Sequence, residues 1–232
     1  MIPLWDDIPR TRWPFVMFLL ILANVVVFFL EVAAPPAERE RLIAAYALIP
    51  ARSTALLTGE PVGLSGGLLP LFTSMFLHGG WMHLIGNLWF LWLFGDNVED
   101  RIGHGRFLLL YLAGGLAGAL THWLFNLNSV VPTVGASGAI AAVMGAYLIT
   151  FPGARIRTLV PVFFFLTWFD LPAFVILFYW LLIQLLSGMA SVAVADPMQG
   201  GVAFFAHVGG FLAGIPLMML LRPRRRRRLL TW

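Results

Sequence analysis

Val134-Gly135-Ala136-Ser137-Gly138 sets one hydroxyl among residues with little or no side chain, at the head of a strongly apolar run. His207 stands in a second apolar run, between Ala206 and Val208, while His83 and Asn87 lie four positions apart in a third. An ionisable side chain in such surroundings is costly, so each histidine calls for a partner or a function. Together these residues supply the parts of acyl transfer: a nucleophile, a base to take its proton, and donors for the oxyanion that forms when an amide carbonyl is attacked. Ser137 would be the nucleophile and His207 the general base. His83 and Asn87, on one helix face by their i,i+4 spacing, would form an oxyanion site. The Ser137 N–H, at a helix start, adds a donor. Gly135 and Gly138 would let backbone approach a substrate, and Gly135 and Ala136 are assigned to the oxyanion and substrate-binding side. The string Gly-Ala-Ser-Gly also suits close helix packing, and it lacks the strand context of a hydrolase elbow, so alone it decides little.

No acid completes a triad. Asp170 falls at the far end of its span and Asp196-Pro197 reads as a turn, which leaves a Ser-His dyad. His78 reads as a loop or interface group, and His104, between Gly103 and Gly105, as a loop residue. His122 lies near the end of an apolar run. A metal site from His78, His83 and His122 is the weaker reading, since there is no His-Glu-x-x-His pair, and neither metal nor cofactor is expected. With no cysteine, thiolate catalysis and disulfide frameworks are excluded.

The elements that must position these residues are membrane helices. A chain of 232 residues that is 60% hydrophobic and 11% charged cannot cover a water-soluble globule. The apolar runs approach the length of a bilayer-crossing helix and lack the alternation of barrel strands. The expected fold is all-α: one membrane domain over 1–232 with six spans at 13–32, 81–97, 107–125, 137–151, 171–186 and 202–221, and a basic tail at 222–232. The long connection Pro35 to His78 reads as short helices lying in the outer interface. Asn24 in the first span is expected to bond a neighbouring helix. Ala154 to Phe169 reads as an interfacial segment with an aromatic belt, Asp170 and Pro172 as the N-cap and first turn of the fifth span, and Ser187 to Gly201 as an outer loop. Both termini are expected in the cytoplasm, because that orientation collects Arg10, Arg12, Arg101, Arg106, Arg155, Arg157 and the tail inside. The tail follows an apolar helix directly and reads as an anchor on anionic lipid, not a nucleic-acid site. The first residues lack the marks of a removable targeting peptide, which favours a bacterial inner membrane.

This topology gives the chemistry its register. Spans two, four and six run in the same direction, with His83, Ser137 and His207 near their outer ends. Ser137 is fifteen residues above Pro152 and His207 fifteen above Arg222. At 1.5 Å per residue both sit about 22 Å up, below the outer surface of a core about 30 Å thick.

His83-Leu84-Ile85-Gly86-Asn87, Gly135-Ala136-Ser137-Gly138, and Ala206-His207-Val208-Gly209-Gly210 with Gly214, in that order on alternate spans, resemble the rhomboid family of intramembrane serine proteases. The likeness extends to Met1-Ile2-Pro3-Leu4, Tyr46-Ala47-Leu48 and Gly95-Asp96-Asn97-Val98-Glu99-Asp100. It implies a six-helix bundle with a long outer loop between the first two helices. It also implies cofactor-free cleavage of transmembrane protein substrates near their outer ends within the lipid bilayer, by Ser137 and His207. His83, Asn87 and the Ser137 amide would surround the oxyanion. Gly210 and Gly214 would pack against Gly138, Ala141, Ala142 and Gly145. The Trp-Arg pair that some members carry in the first outer loop is absent between Pro35 and His78. The fifth loop would be a mobile cap with Met198 as its lid residue. The alternative within this resemblance is a non-catalytic relative that binds membrane-protein clients.

Overall fold

The computed structural model describes residues 1–194 and 202–223. Its largest helices are α1 (Phe15–Ala33), α6 (Trp81–Ile102), α7 (His104–Phe125), α8 (Ser137–Thr150), α9 (Ala173–Val194) and α10 (Phe204–Leu221). Four of them, α1, α7, α9 and α10, are long and apolar enough to cross a membrane. A fifth span is possible if the bent pair Gly63–Phe76 and Trp81–Ile102, which turns through 75°, counts as one. The surface of α1 shows why lipid is its solvent: Phe15, Leu19, Leu22, Val26, Phe29 and Leu30 are exposed at helical spacing, while Met17, Leu20, Asn24 and Phe28 are buried. Asn24 donates to the Leu20 carbonyl of its own helix (2.7 Å) and also faces the Tyr111 hydroxyl of the neighbouring α7.

Between α1 and α6 the chain folds as α2 (Pro36–Tyr46), α3 (Pro50–Leu57), α4 (Gly63–Gly67), α5 (Pro70–Thr73) and a 3-10 turn, Ser74–Phe76. Proline opens α2, α3 and α5, where its missing N–H costs nothing. The short helices expected over this stretch are present.

Helix α8 lies at the centre. It is only 14 residues long, built largely from Gly, Ala and small apolar residues, and buried from Gly138 to Leu148. Such a helix can be enclosed on every side because its neighbours approach its backbone directly. A Cβ at Gly210 would overlap the Gly138 carbonyl oxygen, one at Gly214 the Ala142 oxygen, and one at Gly145 the Phe211 oxygen. A Cβ at Gly114 of α7 would overlap the Ala142 methyl group. The seam expected between Gly210, Gly214 and the small face of α8 is therefore observed.

Several expectations are corrected. The fold is mostly helical, but a three-stranded antiparallel sheet, β1 (Ile2–Asp6), β2 (Arg155–Val162) and β3 (Phe165–Pro172), stands beside the helices, so the all-α description is incomplete. The stretch expected as an interfacial segment is the β2–β3 hairpin. Its ladder runs from Arg155↔Pro172 to Val162↔Phe165, leaving a two-residue turn with Phe163 at φ 52°. Asp170 does not cap a helix; it pairs across the strands with Arg157 through two bonds, at 2.7 and 2.8 Å. Pro172 closes β3, and α9 starts after it. Helix α9 also continues to Val194, through residues expected to open the outer loop. Asp196, Met198 and the tail from 224 onward lie outside the described residues.

Candidate active site

Three helix starts meet at one cavity of about 560 Å³. Its walls include His83 and Asn87 from the first two turns of α6, Ser137 from the first position of α8, and His207 from the first turn of α10, with Trp180 of α9 completing one side. At each of these helix ends backbone N–H groups lack intrahelical partners and the positive ends of the helix dipoles gather, so the cavity suits developing negative charge.

The hydrogen bonds of the two histidines give them opposite tautomers. His83 Nδ1 accepts from the Gly79 N–H at 3.4 Å, which leaves the proton on Nε2. That nitrogen faces the chain before α8: a Cβ on Gly135 would lie 2.6 Å from His83 Nε2 and 3.6 Å from Asn87 Nδ2. Gly135 is needed here twice over, for this approach and for its φ of +127°. Its N–H donates to the Ser74 carbonyl at 2.8 Å, which ties the segment ahead of Ser137 to the end of the short-helix region. Asn87 Nδ2 is buried without a hydrogen-bond partner, an unused donor at the cavity wall.

His207 has the reverse arrangement. Its Nδ1 lies 2.7 Å from Gln184 Oε1 on α9, so Nδ1–H donates to the amide oxygen and Nε2 keeps its lone pair. Trp180, one turn before Gln184, packs its ring against the imidazole with centroids 5.7 Å apart. A hydroxyl, a ring nitrogen able to accept a proton, and two donors of the oxyanion-binding kind thus share one cavity. This arrangement can support nucleophilic attack on a carbonyl.

Gly135 and Ala136 do not line this cavity. Gly135 packs against the His83 ring, and Ala136 is fully buried, its carbonyl accepting from the Ile140 N–H. His122 lies apart, with Nε2 3.0 Å from Thr133 Oγ1, and His104 Nδ1 contacts Glu99 Oε1. The His78 ring packs edge-on against His83, with centroids 5.3 Å apart. Gln184 was missed by sequence reasoning. The signal was available: it is a strongly polar residue inside the fifth apolar run, four positions after Trp180, and an unexplained polar group inside a span implies a partner.

A model of the Rhomboid domain matches residues 65–224. The chain is similar to rhomboid protease GluP of Bacillus subtilis, with 36% identity over 136 residues that make up 58% of this chain and 24% of the relative. It is also similar to RHOMBOID-like protein 6, mitochondrial, of Arabidopsis thaliana, with 32% identity over 158 residues, 66% of this chain and 44% of the relative. Rhomboid protein 1, mitochondrial, of Saccharomyces cerevisiae is 30% identical over 152 residues, 63% of this chain and 40% of the relative. The chain spans less than half the length of each of these three proteins.

Proposed function

Since the chain belongs to the rhomboid family and is an integral membrane protein, we propose that it is a serine endopeptidase that cleaves transmembrane segments of other membrane proteins. The observation that carries this reading is the joint presence of Ser137 and His207 on one cavity, with His207 Nδ1 already committed to Gln184. His207 Nε2 takes the Ser137 proton as Oγ attacks the scissile carbonyl. The oxyanion is met by the Ser137 N–H, His83 Nε2–H and Asn87 Nδ2–H. The imidazolium then gives its proton to the leaving amine. Water, deprotonated by the same nitrogen, releases the acyl group from Oγ.

The finer architecture belongs to the same proposal: six spans, with α8 as the short fourth, both termini cytoplasmic, and the short helices α2 to α5 as a long outer loop. The Arg distribution supports that orientation. Under it the cavity lies toward the outer face, and cleavage falls near the outer end of the substrate helix. A bacterial cell membrane is the proposed host, on the likeness to the Bacillus subtilis protease.

The test is cleavage of a single-span substrate in reconstituted vesicles, together with labelling by a serine-reactive fluorophosphonate. Ser137→Ala and His207→Ala are each expected to lower cleavage on the order of 10³-fold or more, with folding retained. The probe is expected on Ser137 alone. Cleavage that continues undiminished in either variant overturns the assignment, and a stable complex with intact substrate in its place points to client binding without hydrolysis.

A further inference from the structure

Helix α9 buries one stripe, Ala173, Ile176, Leu177, Leu181 and Gln184, and exposes Phe178, Tyr179, Leu182, Ile183, Leu185 and Leu186. Gln184 is the polar member of that buried stripe, only 8% exposed. An amide placed there must be hydrogen-bonded to be tolerated, because leaving a buried polar group unpaired costs about 1–3 kcal/mol. Its oxygen meets His207 Nδ1 at 2.7 Å, a short, well-formed bond. Trp180 lies one helical turn away on the same face and covers the imidazole ring, tilted 33° to it. Trp180 reaches the cavity wall, whereas Gln184 sits behind His207 and is not part of the wall.

We infer that Gln184 is the positioning residue of His207, fixing the Nδ1–H tautomer and the ring plane while Trp180 holds the ring face. This rests on the reading of Ser137 and His207 as nucleophile and base, and it deepens that reading. A histidine free to exchange tautomers presents a protonated Nε2 to the serine for part of the time and cannot then act as base. One acceptor at Nδ1 removes that state. In triads a carboxylate occupies this place; here a neutral amide does, and its oxygen accepts the same Nδ1–H bond. The grip comes from a different helix than the one carrying His207, so the base is set only where α9 is seated against α10.

Two substitutions separate positioning from packing. Gln184→Leu keeps the volume and removes the acceptor; Gln184→Glu keeps an acceptor and adds a charge. Packing alone favours Leu and disfavours Glu in a buried stripe. Positioning predicts the reverse order: kcat in Gln184→Leu falls on the order of 10- to 100-fold with KM within about twofold, and Gln184→Glu retains most of the activity. The second readout is ¹⁵N NMR of labelled histidine in the full-length protein, which reports the His207 tautomer without turnover. The wild type is expected to show Nδ1–H, Gln184→Leu a mixture, and Gln184→Glu a proton on Nδ1. An unchanged tautomer in Gln184→Leu, or full kcat in that variant, overturns the inference. Failure of the protease reading looks different: the tautomer shift appears in Gln184→Leu while cleavage does not depend on Ser137 in any variant.

Discussion

Asp6, at the end of β1, is a carboxylate that the fold has drawn inward. It accepts from Asn97 Nδ2 at 2.8 Å, from the Ile8 N–H at 3.2 Å and from the Tyr147 hydroxyl. Three donors favour its charged form, yet burial outweighs them, and with Asp7 beside it the carboxyl titrates above its ordinary range. The unfolded chain releases this proton near the ordinary aspartate value of about 3.9, whereas the folded chain holds it to higher pH. The contribution of Asp6 to stability is therefore complete below that value and is lost as pH rises through the folded value. Thermal unfolding of the detergent-solubilised protein between about pH 4 and about pH 8 is expected to show a downward slope that Asp6→Asn flattens; an unchanged slope in the variant assigns it to other groups. Residues of this kind are hard to read from sequence, because nothing near Met1 to Asp7 shows that α6 and α8 will close over Asp6. His83, Asn87, Ser137 and His207 were easier, since each interrupts an apolar run at a position where helical spacing brings them to one level, and all four line one cavity. Gln184 carries the same kind of signal, but its meaning depends on which face of α9 is buried, and an almost uniformly apolar helix does not reveal that.

At the scale of elements, helix starts and strand turns decide what could be foreseen. Helix α1 opens after Pro14 with no capping side chain of its own. Its cap comes from α6: Glu99, 1% exposed, accepts from the Val16 and Met17 N–H groups at 2.8 and 2.7 Å. The same carboxylate meets His104 at the start of α7, so one side chain joins three helices. Glu99→Ala orphans two buried donors and is expected to destabilise the protein by about 2–4 kcal/mol. Equilibrium unfolding in mixed micelles measures this, and a change below about 0.5 kcal/mol removes the cap from the account. Glu99→Gln, which still accepts, should lose clearly less. The hairpin was missed for a definite reason. Two-residue hairpin turns normally announce themselves by Gly, Asn or Asp at the positions that need positive φ, and here the turn is Phe163-Phe164. The alternation Arg155, Ile156, Arg157, Thr158, exposed and buried in turn, is a strand signal. It was outweighed by the long apolar run that follows it, which reads equally well as membrane-associated sequence.

For the whole molecule, the relation between Ser137 and His207 depends on how closely α8 and α10 approach. No hydrogen bond between these two helices is needed to set that distance; the absence of Cβ atoms at Gly138, Gly145, Gly210 and Gly214 sets it, and van der Waals contact over the seam maintains it. That much was implied by the family resemblance, which sets small residues at 210 and 214 of one run against a stripe of small residues at 138, 141, 142 and 145 of another. What the stripes could not say is that α7 joins the same seam: a Cβ at Gly118 would lie 2.6 Å from the Ala206 carbonyl oxygen, so α10 is held from two sides directly before His207. The obstacle to any side chain here is backbone, which cannot rotate away. Gly210→Val is therefore expected to force α10 off α8, costing on the order of 3 kcal/mol and reducing fluorophosphonate labelling of Ser137 at temperatures where the protein is still folded. Gly105→Ala is the matched control: nothing lies within 4 Å of a Cβ there, and the change should be neutral or stabilising by up to about 1 kcal/mol. If Gly210→Val lowers the melting temperature but leaves labelling per folded molecule unchanged, the helix separation does not govern the proposed dyad. If both fall together while Gly105→Ala alters neither, the seam is what holds Ser137 and His207 in register.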